Sequence, residues 1–319
     1  MANLFLTDKC NRGCDFCFAR KGPWSENYPK KGLSVEEIKR CFDHFNGDRS
    51  INGLLGGEPF LYPELITVLN MMWERQLVPK IFTSATNPMP DSLKDIDLQK
   101  FPLHFVVNIG TKNTYNDFQS GNLLDFFSKF HEVSSLSYTI LDLNANVDFL
   151  FDCIREFDLK KNIRVGIALP ILNGGNQYVA KEDYKEFGRF FMQFAEQAHN
   201  NNVVLGPDCG FVACMFSPAE IGQLQLWGMD MNFCCGAAID IGPDLEAWNC
   251  FPLSQLKRLN IFDYPDVMQL KIGFDEYMDN LFDGQKGIYD ECVNCKHMKQ
   301  RQCDGGCKSF KTIKEKTYA

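Results

Sequence analysis

Short apolar runs alternate with longer stretches of helical periodicity through the first two thirds of the chain. Ala2–Leu6 reads as a strand. Ser34–Phe45 reads as a helix, because Ser34 can cap it, Glu37 stands three residues on, and apolar positions recur at helical spacing. The alternation continues with strands at Ile51–Leu55, Val78–Ala85, Leu103–Ile109, Leu136–Leu143 and Ile163–Pro170. Helices at Pro63–Arg75, Asp91–Gln99, Tyr115–His131, Val147–Phe157 and Lys181–Asn200 follow them in turn. Near-continuous apolar strands separated by helices predict a parallel sheet covered by helices, joined by right-handed crossovers. Six such units are two fewer than a closed barrel needs. The pattern therefore predicts an α/β fold, a partial (β/α)6 TIM-like barrel open on one side. Catalytic groups in such a fold belong at the C-terminal ends of the strands.

After about residue 205 the rhythm breaks. The stretches "GPDCGFVACMFSP" and "CCGAAIDIGPDLEAWNCFPLS" are rich in Gly, Pro and Cys, and "ECVNCKHMKQRQCDGGC" has little apolar content. Such a segment cannot fold by burial alone, and a metal is the expected staple. We therefore read a core at 1–205 and a small Cys-rich α+β extension at 206–319.

Charge and composition narrow the function. The formal net charge is −8 and the pI about 5.2, which disfavours nucleic acid as a partner. No run approaches the roughly 18 apolar residues of a membrane span, and the front end lacks a signal-peptide pattern. A cytoplasmic protein with no membrane partner is expected. Thiols stay reduced there, so fourteen cysteines point to metal or catalytic groups rather than disulfides. Cys41 and Cys153 each stand alone in a helical pattern and read as small buried hydrophobes. The others cluster at the front and after residue 205.

The front cluster is "DKCNRGCDFCF", with Cys10, Cys14 and Cys17. These positions could share one face of a helix. Asn11 and Gly13, directly after a strand, favour a loop instead. Three thiolates held together need a cation to relieve their repulsion. Structural zinc takes four ligands, whereas three thiolates suit a 4Fe–4S cube with one iron open to a small chelating ligand. The spacing C-x3-C-x2-C, with aromatic Phe16 before the last cysteine and the first strand before the loop, resembles the signature of the radical S-adenosylmethionine (SAM) superfamily. The resemblance implies that the open iron chelates the amino and carboxylate groups of SAM. One electron then cleaves the sulfonium and releases a 5′-deoxyadenosyl radical.

Two further stretches carry the same resemblance. Gly56-Gly57-Glu58-Pro59 follows the second strand; as a turn it is ordinary, but in the family this motif meets the amino group of SAM, with Glu58 as acceptor. An ammonium needs such acceptors, and glycines allow close backbone approach. "FTSATN" at the end of the third strand is similar to the family segment that approaches the ribose, which makes Ser84 and Asn87 candidates. Asn108, ending the fourth strand, is another. Turn chemistry explains each of these three equally well.

The C-terminal cysteines run Cys235, Cys250, then Cys292-x2-Cys295-x7-Cys303-x3-Cys307. Paired spacings of this kind fit a zinc ribbon. Behind the front triplet they resemble the SPASM extension of radical SAM enzymes, which carries auxiliary 4Fe–4S clusters. The chain departs from that pattern in three places. Leu245 replaces the motif glycine, the middle gap is seven residues rather than five, and no cysteine follows Cys307. The resemblance implies one cluster on Cys235, Cys250 and Cys307 and another on Cys292, Cys295 and Cys303. Each set is one ligand short. Cys209, Cys214 and Cys234 remain, either as ligands to one or two auxiliary clusters or as catalytic hydrogen-atom donors or acid/base groups.

Family members with this layout modify peptides, oxidise protein residues or oxidise small alcohols. Sulfatase-maturing members carry Asp where this chain has Phe251, which disfavours that reaction. The first strand starts near residue 2, so a peptide leader is expected to dock elsewhere or on a separate leader-binding protein. The expected activity is hydrogen abstraction from a peptide substrate and oxidative crosslinking of a ribosomal peptide. It would be driven by a low-potential donor such as flavodoxin or ferredoxin. The alternatives are a radical SAM dehydrogenase or epimerase acting on a small molecule or single residue, and a non-enzymatic Fe–S or zinc scaffold.

Overall fold

The apolar runs and helical stretches become one wide sheet with helices along it. The computed structural model describes residues 2–19, 32–111, 114–172, 175–282 and 287–312. Along the chain come β1 (Ala2–Phe5), α1 (Val35–His44), β2 (Ile51–Leu55), α2 (Leu65–Glu74), β3 (Lys80–Thr83), α3 (Asp91–Lys94) and β4 (His104–Asn108). Then follow α4 (Asp117–Phe130), β5 (Ser134–Ile140), α5 (Asp148–Phe157), β6 (Asn162–Ile167), α6 (Tyr184–Asn200) and β7 (Val204–Pro207). The last third adds α7 (Pro218–Leu226), β8 (Ile239–Ile241), β9 (Glu246–Asn249), β10 (Leu259–Asn260), α8 (Val267–Leu281) and α9 (Lys296–Lys299).

The strand order is β10-β9-β8-β1-β2-β3-β4-β5-β6-β7. Every pair from β8 through β1 to β7 is parallel, and β8-β9-β10 are antiparallel. The sheet does not close on itself among the described residues, as an open partial barrel requires. No helix among the described residues is long and apolar enough to cross a membrane.

The elements from β7 onward go beyond the alternation read from the sequence, and three of them matter most. β7 continues the parallel series after α6. β8 is only three residues long and lies in a Gly- and Cys-rich stretch, yet it pairs with β1 through Ala2↔Ile239, Asn3↔Asp240 and Leu4↔Ile241. α8 is capped by Asp266, whose side chain accepts from Gln269 N. It buries Val267, Leu270, Phe274 and Met278 along one stripe, a helical signal present in the sequence.

The helix-facing side of the sheet carries the main core. Ala2, Leu4 and Leu6 are fully buried there, with Phe126 and Phe130 of α4 and Phe187, Phe191 and Phe194 of α6. Phe105 of β4 meets Phe126 and Phe130 with ring centroids 4.9 Å apart. Such aromatic pairs add about 0.5–1.5 kcal/mol beyond area burial. α1 begins at a capping box. Ser34 Oγ accepts from Glu37 N, and Glu37 Oε2 accepts from Ser34 N at 2.9 Å. The second oxygen of Glu37 accepts from Asp244 N at 2.9 Å, so one carboxylate joins the start of α1 to the β8–β9 turn.

The opposite face of β1 is different. Phe5 packs on Trp248 and Phe251, with centroids 6.1 and 5.6 Å away. One step back, Asn3 Nδ2 donates to Asp240 Oδ1 at 2.7 Å. Asp240 is buried, and burial pushes its carboxyl up to about 7, against the Asn3 amide and the Trp248 indole, which favour the ionised form. The native state therefore holds a proton that the unfolded chain releases near pH 4. Stability contributed by the neutral form is complete below pH 4 and is lost as pH rises to about 7. Asp240→Asn keeps the acceptor and cannot ionise. Urea unfolding of the apoprotein between pH 4.5 and 7.5 should show that the variant lacks a decline of up to roughly 3 kcal/mol. An equal decline in both proteins would refute this reading of Asp240.

Candidate active site and cysteine centres

The loop carrying the front thiols leaves β1 at Leu6 and is zipped onto the loop after β2. Gly57 N donates to Thr7 O at 2.6 Å, and Glu58 N donates to Lys9 O at 2.7 Å. A Cβ on Gly56 would stand 2.4 Å from Thr7 O, and one on Gly57 2.3 Å from Lys9 O. Both glycines are thus required by the approach of the two backbones. The rest of the loop is pinned from other strand ends. Asn11 Nδ2 donates to Thr86 O at 3.3 Å after β3. The Arg12 guanidinium lies 4.8 Å over the Tyr115 ring, after β4. Asn176 Nδ2 donates to Phe16 O at 3.1 Å, and Gln177 N to Asp15 O at 2.9 Å, after β6. Arg12, Thr86, Tyr115 and Asn176 are supports that the sequence reading missed, since nothing in their local patterns marks them.

Within this loop Cys10 is exposed, while Cys14 and Cys17 are half-buried. Cys10 Sγ accepts from Arg12 N at 3.4 Å, the kind of amide–sulfur contact that favours a thiolate. Burial pushes the Cys10 thiol up, and the charges of Glu58, Cys17 and Cys14 push it further. Cys14 is also raised by burial, with Arg12 opposing and Cys17 adding to the rise. The three thiols therefore feel one another, and a bound cation would remove that penalty. Among the described residues no three Cys, His, Asp or Glu side chains converge on a point that could hold a single metal ion. Three thiols on one loop pinned from the ends of four strands are the donor set that a 4Fe–4S cluster with one open iron would use.

Glu58 is buried beneath this loop. Its Oε1 accepts from Thr83 Oγ1 and from Phe60 N. Its Oε2 accepts from Ser84 N at 2.9 Å and Ser84 Oγ at 2.6 Å. These four donors fill the carboxylate's acceptor positions. Pro59 is buried and opens the short turn Pro59–Leu61, which Glu58 caps. Ser84 Oγ also lies 2.8 Å from Thr86 Oγ1. Ala85 between them has φ +53°, a left-handed backbone that a non-glycine residue adopts only under constraint. Asn87 is buried, and its Nδ2 has no hydrogen-bond partner among the described residues, so a donor is left over at the site. Asn108 ends β4 and is exposed; Phe16 is half-buried.

The later cysteines lie in the β8–β9 region and the loops around it. Cys235, Cys250 and Cys307 line one cavity of about 290 Å³, together with Asn249, Lys271 and Asp304. Cys250 has φ +75°, again a constrained backbone at a thiol. Cys307 Sγ lies 3.0 Å from Ser309 Oγ, and Cys303 Sγ accepts from Gly305 N at 3.3 Å. Cys295 N donates to Cys292 O at 3.2 Å. Gly287, Gly305 and Gly306 have positive φ, and a Cβ on Gly287 would meet Cys292 Sγ at 2.4 Å. Phe233 bridges Cys303 in parallel pairing, which lays Cys234 and Cys235 beside the 303–307 loop. Cys235 N donates to Asp304 Oδ2 at 2.7 Å. Cys209 and Cys214 are exposed and Cys234 half-buried. Cys41 and Cys153 stand apart, buried in α1 and α5, and burial pushes both thiols up to about 12.

Residues 4–111 match the Radical SAM superfamily model. No curated protein matches the chain. In fold it is similar to Streptococcus suis SuiB bound to precursor peptide SuiA, with TM-score 0.69 and 16% identity over 97% of this chain and 71% of that one. It is similar also to anSMEcpe with bound AdoMet, with TM-score 0.66 and 18% identity over 99% of this chain and 91% of that one. The form of anSMEcpe with AdoMet and the Cp18Cys peptide gives 0.61 and 19% over the same shares. At these identities the likeness is one of fold.

The filled carboxylate of Glu58 makes a direct demand. In Glu58→Gln the new amide N–H group must face either Phe60 N or Ser84 N, both of which only donate. Leaving such a group unpaired in a buried site costs about 1–3 kcal/mol. The apoprotein should unfold at correspondingly lower urea, and SAM affinity of the reconstituted protein should fall. An unchanged unfolding midpoint would show that the carboxylate is not clamped in this way.

Proposed function

We propose that this chain, a radical SAM enzyme with the fold of peptide-modifying relatives, abstracts a hydrogen atom from a peptide substrate and completes an oxidative crosslink in a ribosomal peptide. The observation that carries the reading is the three-thiol loop zipped onto Gly56–Glu58 at the C-terminal mouth of the sheet. A 4Fe–4S cluster with SAM, when bound there, supplies a 5′-deoxyadenosyl radical. The sequence from 1 to 205 is the radical-generating core, and 206–319 is the auxiliary cluster region.

The chain's own residues divide the work. Cys10, Cys14 and Cys17 hold the cluster, and Phe16 covers it. Gly56 and Gly57 let the backbone come close to the amino group of SAM. Glu58, with its acceptor positions filled, holds the ends of β2 and β3 together, and an ammonium is left to carbonyl groups of the same loop. Ser84, Asn87 and Asn108 face the nucleoside, with the spare Asn87 amide as a donor. The later cysteines hold one or two auxiliary clusters. Such clusters cover a wide span of potentials and can take up the electron that an oxidised product gives away. A donor such as flavodoxin or ferredoxin supplies the first electron. The peptide assignment is supported by the fold shared with SuiB bound to a precursor peptide and with anSMEcpe bound to the Cp18Cys peptide.

The test is anaerobic reconstitution followed by chemical reduction with SAM and a library of short synthetic peptides. The wild-type protein should form 5′-deoxyadenosine and a peptide lighter by two hydrogen atoms. Cys10→Ala, Cys14→Ala and Cys17→Ala should each reduce 5′-deoxyadenosine to background. Cys292→Ala or Cys295→Ala should keep SAM cleavage and lose the peptide product. Nucleoside formation by the triplet variants would refute the core assignment, and turnover of a small alcohol with no peptide product would refute the substrate.

A further inference from the structure

We propose that Cys209 and Cys214 complete two four-thiolate centres, Cys209 with Cys235, Cys250 and Cys307, and Cys214 with Cys292, Cys295 and Cys303, with the Tyr184 hydroxyl between them as a donor to cluster sulfur. This rests on the auxiliary-cluster part of the reading above and fixes its ligands.

The first centre is built around the cavity that Cys235, Cys250 and Cys307 line. Cys209 follows β7, where Asp208 N donates to Val165 O at 2.8 Å and Gly210 packs on Leu169 and Ile167. Cys209 is exposed, and three residues on Val212 lies against Gly306, where a Cβ would stand 3.1 Å from Val212 Cγ1, so the segment carrying Cys209 runs beside Cys307. The charges of Cys307 and Cys235 act on it, and its own acts on Cys250. Four thiols thus share one neighbourhood.

The second centre is assembled by the start of α6. Lys185 Nζ donates to Cys214 O. Lys181 Nζ donates to Ile288 O at 3.1 Å, and Tyr289 OH donates to Lys181 O. One helical turn therefore grips both the Ala213–Met215 turn and the segment that leads into Cys292. Gly306 closes the third side, because a Cβ there would stand 3.1 Å from Val212 Cγ1. Cys214 accordingly feels the charges of Cys303 and Cys292. It supplies a fourth thiol to the set of Cys292, Cys295 and Cys303 from upstream in the chain.

Tyr184 lies on the same turn of α6. It is 2% exposed, and its hydroxyl has no hydrogen-bond partner among the described residues. Its electrostatic neighbours are Cys307, Tyr289, Cys209 and Cys214, drawn from both sets. A buried O–H without a partner is costly, and a thiolate or sulfide beside it would accept the proton. Cys234 is excluded. Its Sγ is already engaged, donating to Arg301 O at 3.7 Å. With four thiolates each, neither auxiliary centre leaves an iron for substrate, and both act by electron transfer alone.

The test uses full-length protein in which Cys10, Cys14 and Cys17 are all Ala, reconstituted anaerobically and read by iron and sulfide content, Mössbauer spectra and EPR with and without cyanide. About eight irons per chain, as two cubes, are expected, with reduced-state spectra that cyanide leaves unchanged. Cys209→Ala or Cys214→Ala on this background should make one cluster cyanide-responsive or lose about four irons, a different cluster in each case. Cys234→Ala should change neither iron content nor spectra. Tyr184→Phe should keep the iron and lower the midpoint potential of at least one cluster. The serine variants at 209 and 214, checked by circular dichroism, separate ligand loss from misfolding. Cyanide binding before any of these changes, or a response to Cys234→Ala alone, would overturn the ligand assignment while leaving auxiliary clusters in place. An unshifted potential in Tyr184→Phe would remove the tyrosine from it. Absence of iron from the background protein would overturn the auxiliary clusters themselves.

Discussion

Two backbone hydrogen bonds, from Gly57 N to Thr7 O and from Glu58 N to Lys9 O, are the constraint on which the candidate site depends. They fix the loop of thiols over the end of β2, and they exist only because neither Gly56 nor Gly57 carries a Cβ. Glu58 then binds this junction to β3 through Thr83 and Ser84. The result is a floor of paired backbone and a filled carboxylate beneath three mutually repelling thiols. Thiolates held this close would repel one another, and a cationic cluster bound among them would turn that repulsion into affinity.

The second half of the molecule is tied to the first by the sheet itself. β8 pairs with β1, so the Cys235–Cys250 hairpin hangs from the strand that also launches the front thiols. Glu37 adds a side-chain link between α1 and the β8–β9 turn. The later cysteines are thus held in a set position relative to the front loop. Fixed geometry of this sort is what lets a protein direct chemistry that the cofactor supplies.

Much of this was legible in the sequence, for physical reasons that differ by region. Long apolar strands and capped helices announce themselves, and Ser34 with Glu37 forms the capping box that its spacing implied. The motif residues Cys10, Cys14, Cys17 and Gly56–Pro59 were legible because their chemistry demands close spacing along the chain. β8 was not, because three residues carry too little pattern and gain their place only by pairing with β1, more than two hundred residues away. Arg12, Asn176 and Tyr184 were hidden for the same reason: each acts across a distance in sequence that no local pattern encodes. The use of Glu58 was visible as a motif but not as a saturated clamp, since its donors come from another strand.

The most direct measurement is electron–nuclear double resonance on the reduced protein carrying a cluster only at Cys10, Cys14 and Cys17, with SAM labelled with ¹⁵N at its amino group and ¹³C at its carboxylate. The account predicts hyperfine coupling of both labels to the cluster, as chelation at an open iron requires. A cluster signal that ignores the labelled SAM, or a loop filled by zinc with no signal at all, would contradict it.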